Sequence, residues 1–294
     1  MANECNICPR ACRVDRNDRC GFCGEGDVLR LARAAAHYWE EPCISGDRGS
    51  GTVFFSGCNL RCVFCQNREI SRSGIGKEVT VERLAHIFLR LQRQGVHNIN
   101  LVTPTHFADK IKKALIYAKS EGLDIPIVWN SSGYEYADSV RELKGLVDIY
   151  LPDFKYVSTD LSYRYSKAAD YFEVAKEALD EMVIQRGAPK FKDGLMTEGV
   201  IVRHLALPGC TEDSKAVLRF LHRRYGNAIY ISIMKQYTPP NFDVPDELGR
   251  KLYDEEYEEL CEYSRKLGIV QGFTQEGECV GESFIPKFNL EGVE

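Results

Sequence analysis

After residue 46 the chain settles into a regular alternation that few folds accommodate: short runs rich in β-branched and aromatic residues, each followed by a longer amphipathic stretch. The short runs fall at residues 52–56, 98–102, 127–129, 147–151, 200–204, 228–233 and 268–273. Their length and composition suit buried parallel strands. The longer stretches, at 81–94, 107–120, 136–143, 171–185, 214–225 and 246–266, read as helices. Thr80 stands at a helix start, and Gly95 and Gly122 stand where helices end on a left-handed residue. Strands alternating with helices imply βαβ units and a parallel sheet. With 44% hydrophobic residues in 294, a full core is available. Six or seven units predict a complete or partial (β/α) barrel; periodicity alone leaves an open doubly wound sheet as its rival.

Residues 1–45 follow another pattern. They hold six of the twelve cysteines, namely Cys5, Cys8, Cys12, Cys20, Cys23 and Cys43, and show little apolar period before Val28. A short helix is expected over residues 29–38. The chain is therefore expected to divide into a cysteine-rich metal-binding segment, 1–45, and a barrel, 46–294. The N-terminus has no charged start followed by an apolar run, and no stretch of 18 apolar residues occurs. Neither a secretory signal nor a membrane span is expected, and the expected location is cytoplasmic. There, clustered cysteines read as metal ligands or redox thiols rather than disulfides. A net charge of −5 argues against non-specific attraction to nucleic acid or an anionic membrane.

The sharpest local signal is Gly57-Cys58-Asn59-Leu60-Arg61-Cys62-Val63-Phe64-Cys65, with spacing C-x3-C-x2-C directly after the apolar run Val53-Phe54-Phe55. In a parallel barrel this loop lies at the C-terminal face of the first strand, where barrel active sites sit. Thiolates ligate iron–sulfur cubanes, and three ligands for four irons leave one iron open, as catalysis requires. A zinc loop is the rival reading, but zinc favours paired C-x2-C elements with a fourth ligand close by.

The motif Cys58-x3-Cys62-x-Phe64-Cys65 resembles the signature of the radical S-adenosylmethionine (SAM) superfamily. The flanking text, Gly49 to Leu60, is similar to the branch related to pyruvate formate-lyase activating enzyme. The resemblance implies a partial (β/α)6 TIM-like barrel over much of 46–280, with a [4Fe–4S] cluster on Cys58, Cys62 and Cys65. It implies SAM as cofactor, cleaved reductively to methionine and a 5′-deoxyadenosyl radical. It also implies a reducing electron donor such as flavodoxin or ferredoxin. The hydrogen would come from an unidentified protein or small-molecule substrate, a glycyl residue of a partner enzyme being one case.

Carried over residue by residue, the resemblance implies cofactor contacts as follows. Phe64 precedes the third cysteine. Where the family has Gly-Gly-Glu, this chain has Thr103-Pro104-Thr105-His106. The glycines are absent, Thr103, Thr105 and His106 stand as polar candidates, and Thr105 also suits a helix cap. Asn130 and Ser131 occupy a segment similar to the family's Asp-Thr-Asn-Gly, with Asn130 replacing the carboxylate. Asp153 and Lys155 end the fourth strand on one face. Arg203, on the fifth, suits a carboxylate clamp. His204 reads equally as a core histidine.

Cys5-x2-Cys8-Pro9-Arg10-Ala11-Cys12, followed by Cys20-Gly21-Phe22-Cys23, is a second metal signal. Two C-x2-C pairs suit a four-sulfur zinc site, and three early cysteines plus one later suit a second iron–sulfur cluster. The branch pattern implies Cys5, Cys8, Cys12 and Cys23, with Cys20 as the alternative. Cys43, Cys210, Cys261 and Cys279 are expected to be small buried hydrophobes. The competing function is a non-catalytic zinc or iron–sulfur protein in electron transfer or binding, which needs no barrel mouth.

Overall fold

The structure, a computed structural model, describes residues 4–275 and 286–294; Cys279 lies outside them. In chain order the strands are β1 (Leu29–His37), β2 (Ser50–Phe55), β3 (Lys77–Val79), β4 (Ile99–Val102), β5 (Ile127–Ser131), β6 (Ile149–Pro152), β7 (Lys190–Lys192), β8 (Leu195–Leu205), β9 (Tyr230–Met234) and β10 (Gly272–Thr274). The helices are α1 (Pro42–Ser45), α2 (Arg68–Ser71), α3 (Val81–Arg93), α4 (Ala108–Ser120), α5 (Ala137–Arg141), α6 (Thr159–Ser166), α7 (Tyr171–Arg186), α8 (Thr211–Tyr225) and α9 (Asp254–Leu267). Strands β2, β4, β5, β6, β8, β9 and β10 run parallel in that order. The sheet is mixed at one side, where β1 pairs antiparallel with β2 and β3 pairs antiparallel with β1. The predicted parallel α/β architecture is what forms.

Because side chains alternate across a strand, each parallel strand serves two cores. On the outer face Trp129 and Tyr150 pack with Leu84, Phe88, Ile111 and Leu115 of the helices, all essentially fully buried. On the inner face Val128, Ile149, Leu151 and Ile201 meet Cys43 and Ile44 of α1. Four residues are too few to hold a helix alone. What fixes α1 is Ile44, whose burial is worth about 2 kcal/mol, and Asn98, whose side chain donates to the Ile44 carbonyl at 2.8 Å. The inner core is thus plugged by a segment that precedes the first barrel strand.

Two expectations are corrected. The helix predicted over 29–38 is the strand β1. Its Leu-Ala-Arg-Ala-Ala run favours a helix locally, but pairing with β2 on one edge and β3 on the other, with Leu29 and Leu31 buried, outweighs propensity. The single helix predicted over 246–266 is broken. A turn of 3-10 helix spans Asp246–Gly249, Arg250 is extended, and α9 begins afresh after Tyr253. Glu256 closes that start by accepting the Tyr253 N–H at 3.0 Å. Among the described residues no helix is long and apolar enough to cross a membrane.

Candidate active site

The three cysteines of the central motif follow β2 at its C-terminal end. Arg61 takes a left-handed φ of 52°, which turns the loop between Cys58 and Cys62. Each sulfur has a donor aimed at it. The Leu60 and Arg61 N–H groups reach Cys58 Sγ at 3.3 and 3.5 Å. The Ser166 hydroxyl donates to Cys62 Sγ at 3.1 Å, and the Ser71 hydroxyl to Cys65 Sγ at 3.4 Å. Burial, and then the neighbouring Cys58 and Cys62, push the Cys65 thiol up to about 12. Burial and Cys62 likewise raise Cys58. Cys58 and Cys65 thus resist ionising unless a metal core balances their charge. Phe64 is buried and meets Tyr165 and Tyr237 edge-on, with ring centroids 6.2 and 6.5 Å apart, which anchors the loop.

Cys62, Phe64 and Cys65 border a cavity of about 780 Å³ inside the barrel. Facing them stand Asn130, Asp153, Lys155 and Arg203, all at the C-terminal ends of β5, β6 and β8. Lys155 Nζ lies 2.7 Å from Asp153, and Arg203 Nε lies 3.3 Å from the other Asp153 oxygen. Arg203 continues to Asn130 at 2.5 Å and to Glu40 at 3.0 Å. Burial opposes ionisation of Asp153, but Lys155 and Arg203 hold its carboxyl below the usual range. Burial likewise opposes the Lys155 charge, and Asp153 and the Cys62 sulfur outweigh it, so the ammonium is retained more firmly than in water. The wall therefore carries fixed charges of both signs.

The remaining candidates from sequence are placed elsewhere. The Thr105 and Ser131 hydroxyls and Trp129 Nε1 all donate to one buried carboxylate, Glu135, at 2.9, 2.5 and 2.9 Å. This hub lies on the outer side of the sheet. His106 is buried and donates through Nε2 to the Ser56 carbonyl at 2.7 Å. Burial pushes it down to about 4, so it is neutral at pH 7. Thr103 has a φ of 60°, rare for a β-branched residue, with its N–H bonded to the Asn130 carbonyl. His204 is the buried core histidine of its second reading, Nδ1 bonding the Phe154 carbonyl.

The N-terminal cysteines lie against the central loop. Cys23 O accepts the Cys58 N–H at 3.1 Å. Gly57 makes that approach possible. At φ 78° it tolerates the left-handed turn, and a Cβ there would lie 2.8 Å from Cys23 O. Arg10 donates to the carbonyls of Asn59, Leu60, Ser166 and Lys167 and sits 4.0 Å over the Phe22 ring. Cys8, Cys12 and Cys23 are close enough to repel one another as thiolates, and Cys5 adds to the repulsion at Cys8. Cys20 is exposed. Burial pushes Cys8 up to about 12 and Cys23 to about 11. Among the described residues no three His, Cys, Asp or Glu side chains converge as ligands of one ion. Cys43 and Cys210 are buried as expected, and Cys261 is half-buried.

Sequence reasoning missed Glu40, Glu41, Glu135 and Ser166. Ser166 ends α6, a helix whose short polar stretch gives little periodic signal. Glu40 and Glu41 look like ordinary surface acids before a proline, and only the path of β1 takes them inside.

The profile of the radical SAM superfamily matches residues 52–221. An uncharacterized protein of Methanocaldococcus jannaschii, MJ0674, is 32% identical over 281 residues, which span 90% of this chain and 75% of that protein. The pyruvate formate-lyase-activating enzyme of Clostridium pasteurianum is 29% identical over 180 residues, 58% of this chain and 66% of that one. Among solved structures, a radical SAM methyltransferase from Sphaerobacter thermophilus superposes with a TM-score of 0.54 at 15% identity, covering 77% of this chain and 66% of that one. Streptococcus suis SuiB bound to S-adenosylmethionine gives 0.51 at 14%, covering 78% and 50%. At such identities these two neighbours speak for the fold, a partial TIM barrel. Sequence profile, relatives and fold agree: the chain belongs to the radical SAM superfamily, whose members cleave SAM at a [4Fe–4S] cluster.

Proposed function

We propose that this chain is an activating-enzyme-like radical SAM oxidoreductase in which Cys58, Cys62 and Cys65 hold the cluster and the adjoining cavity receives SAM. The observation that carries this reading is the meeting, at one barrel mouth, of three thiols with sulfur-directed donors and a charged wall of Asp153, Lys155 and Arg203. The residues fit both groups. Thiolates suit iron, their sulfurs have ready hydrogen bonds, and cations beside an anion suit the zwitterionic methionyl end of SAM. When bound, the cluster supplies one electron for reductive cleavage of SAM to methionine and a 5′-deoxyadenosyl radical.

The chain's own residues do the rest. Ser166, Ser71 and the loop N–H groups stabilise electron-rich sulfur. Arg203 and Lys155 orient a carboxylate, Asp153 an ammonium, and Asn130 adds a neutral contact. Apolar side chains of the cavity, Phe54, Val102 and Leu205 among them, keep water away from a reactive carbon radical. The activating-enzyme relatives support a glycyl residue of a partner enzyme as hydrogen donor, with flavodoxin or ferredoxin as reductant.

The N-terminal segment, 1–45, is read as a second metal-bearing unit on Cys5, Cys8, Cys12 and Cys23, supported by the mutual proximity of those thiols. Free thiols throughout the described chain and an oxygen-sensitive open cluster suit a reducing cytoplasm. Anaerobic reconstitution with iron and sulfide, followed by SAM and dithionite, tests the central reading. Methionine and 5′-deoxyadenosine are expected, and their absence from well-loaded protein overturns it. Metal analysis of a Cys58/Cys62/Cys65 triple Ala variant then separates zinc from a second cluster at the N-terminus.

A further inference from the structure

The cavity has a floor as well as a mouth. β1 runs antiparallel to β2, so it delivers the chain from His37 to the N-terminal end of the barrel. Glu40 and Glu41 then enter the lumen from below, ahead of α1. Glu40 is fully employed: Asn100 Nδ2 donates to one oxygen at 3.0 Å, and Arg203 to the other at 3.0 Å. Glu41 is not. It is 8% exposed and lines the cavity; the Ser232 side chain bonds its carboxyl, but Oε2 has no hydrogen-bond partner among the described residues.

Burial of a carboxylate oxygen without a donor costs about 1–3 kcal/mol or more, so the position calls for an absent partner. The charges lining the cavity say of which sign. Lys155 and Arg203 face Asp153, Glu40 and Glu41, and both cations are engaged by Asp153 and Glu40. Among the described residues the acids outnumber the cations by one; burial raises the Glu41 carboxyl, and a cation beside its free oxygen would offset that. His37, also on this wall, does not balance the excess, because burial and two nearby arginines push it down to about 4. Above Glu41 the space passes Phe273 and Met234, apolar surface suited to a short alkyl chain.

We propose that Glu41 is the anchor for a cationic group of the radical substrate, an alkylammonium whose carbon chain extends up the lumen toward the cysteine loop. The proposal rests on the radical SAM reading, because it assigns the same cavity's substrate class. It places recognition at the floor and leaves the reacting carbon near the mouth.

Calorimetric titration of full-length, cluster-reconstituted protein in saturating SAM tests it, with n-pentylammonium as probe and n-pentanol as neutral control. Saturable binding of the cation is expected, with pentanol at least tenfold weaker. Glu41→Gln should weaken the cation at least tenfold while SAM affinity stays within twofold. Glu41→Asp, which keeps the charge, should retain most of the binding. Equal binding by wild type and Glu41→Gln, equal losses in Glu41→Asp and Glu41→Gln, or a loss of SAM affinity in Glu41→Gln would each overturn the proposal. Wild-type release of 5′-deoxyadenosine, measured separately, reports on the radical SAM reading and does not depend on the cation.

Discussion

Two thiol clusters touch in this molecule, and they are built by opposite means. The N-terminal one is held by local turns. Ala11 and Arg13 take left-handed backbone, the Cys5 N–H bonds Val14 O, and the Gly21 N–H bonds Glu25 O. The central one is held by the barrel. Its sulfurs receive hydroxyls from α2 and α6, the latter 104 positions away. Distance in sequence is the lesson. A site assembled from remote elements inherits the rigidity of the sheet, whereas a site assembled from one loop depends on what it is docked against.

The largest expected effect breaks the two apart. Cys62→Ala should abolish 5′-deoxyadenosine formation, by three orders of magnitude or more, while Cys12→Ala should leave measurable SAM cleavage; liquid chromatography of the products decides. If both variants were equally dead, the clusters would form one functional unit.

Acid comes next. Burial holds His37, His106 and His204 at about 4 in the folded protein, below the ordinary value near 6.5. Between those values the unfolded chain binds protons that the folded one does not. Stability is therefore complete above about pH 6.5 and falls as pH drops toward 4, by at most about 4.1 kcal/mol per pH unit for three groups. Urea midpoints at pH 7, 6 and 5 measure it, and His106→Gln should cut the slope by about a third.

Third, Arg10→Ala removes donors to four carbonyls, of Asn59, Leu60, Ser166 and Lys167. A loss of about 3 kcal/mol is expected. Limited proteolysis should then cut first within residues 4–28, leaving the barrel protected. The smallest effect is the most local: Ser166→Ala deletes one hydrogen bond to Cys62 sulfur and should lower the cluster's midpoint potential by tens of millivolts in an electrochemical titration.

Much of the barrel was legible because its strands are short apolar runs separated by periodic helices, a pattern that Val53-Phe54-Phe55 and the Val81–Arg93 helix display plainly. The cysteine loop was legible because metal chemistry restricts residue type and spacing. What stayed hidden was set by tertiary partners. Nothing in Leu29–His37 announces a strand, since its hydrogen bonds are satisfied only once β2 and β3 lie alongside. With β1 misread, the inward course of Glu40 and Glu41 had no signal. Likewise Thr105 and Ser131 are polar residues at strand ends in either reading. That they converge on Glu135 depends on a buried acid that looks, in sequence, like any charge beside a turn.

The ion pair between Glu40 and Arg203 joins residues 163 positions apart. During synthesis the floor segment emerges early and waits for β8 and β9 before it has anywhere to go. Such non-local closure is slow, and in the interval the nascent chain carries its early cysteines without their final shelter. The floor of the cavity is thus closed only by the last third of the chain, and a polypeptide cut short before β8 would keep Glu40 without the arginine that holds it.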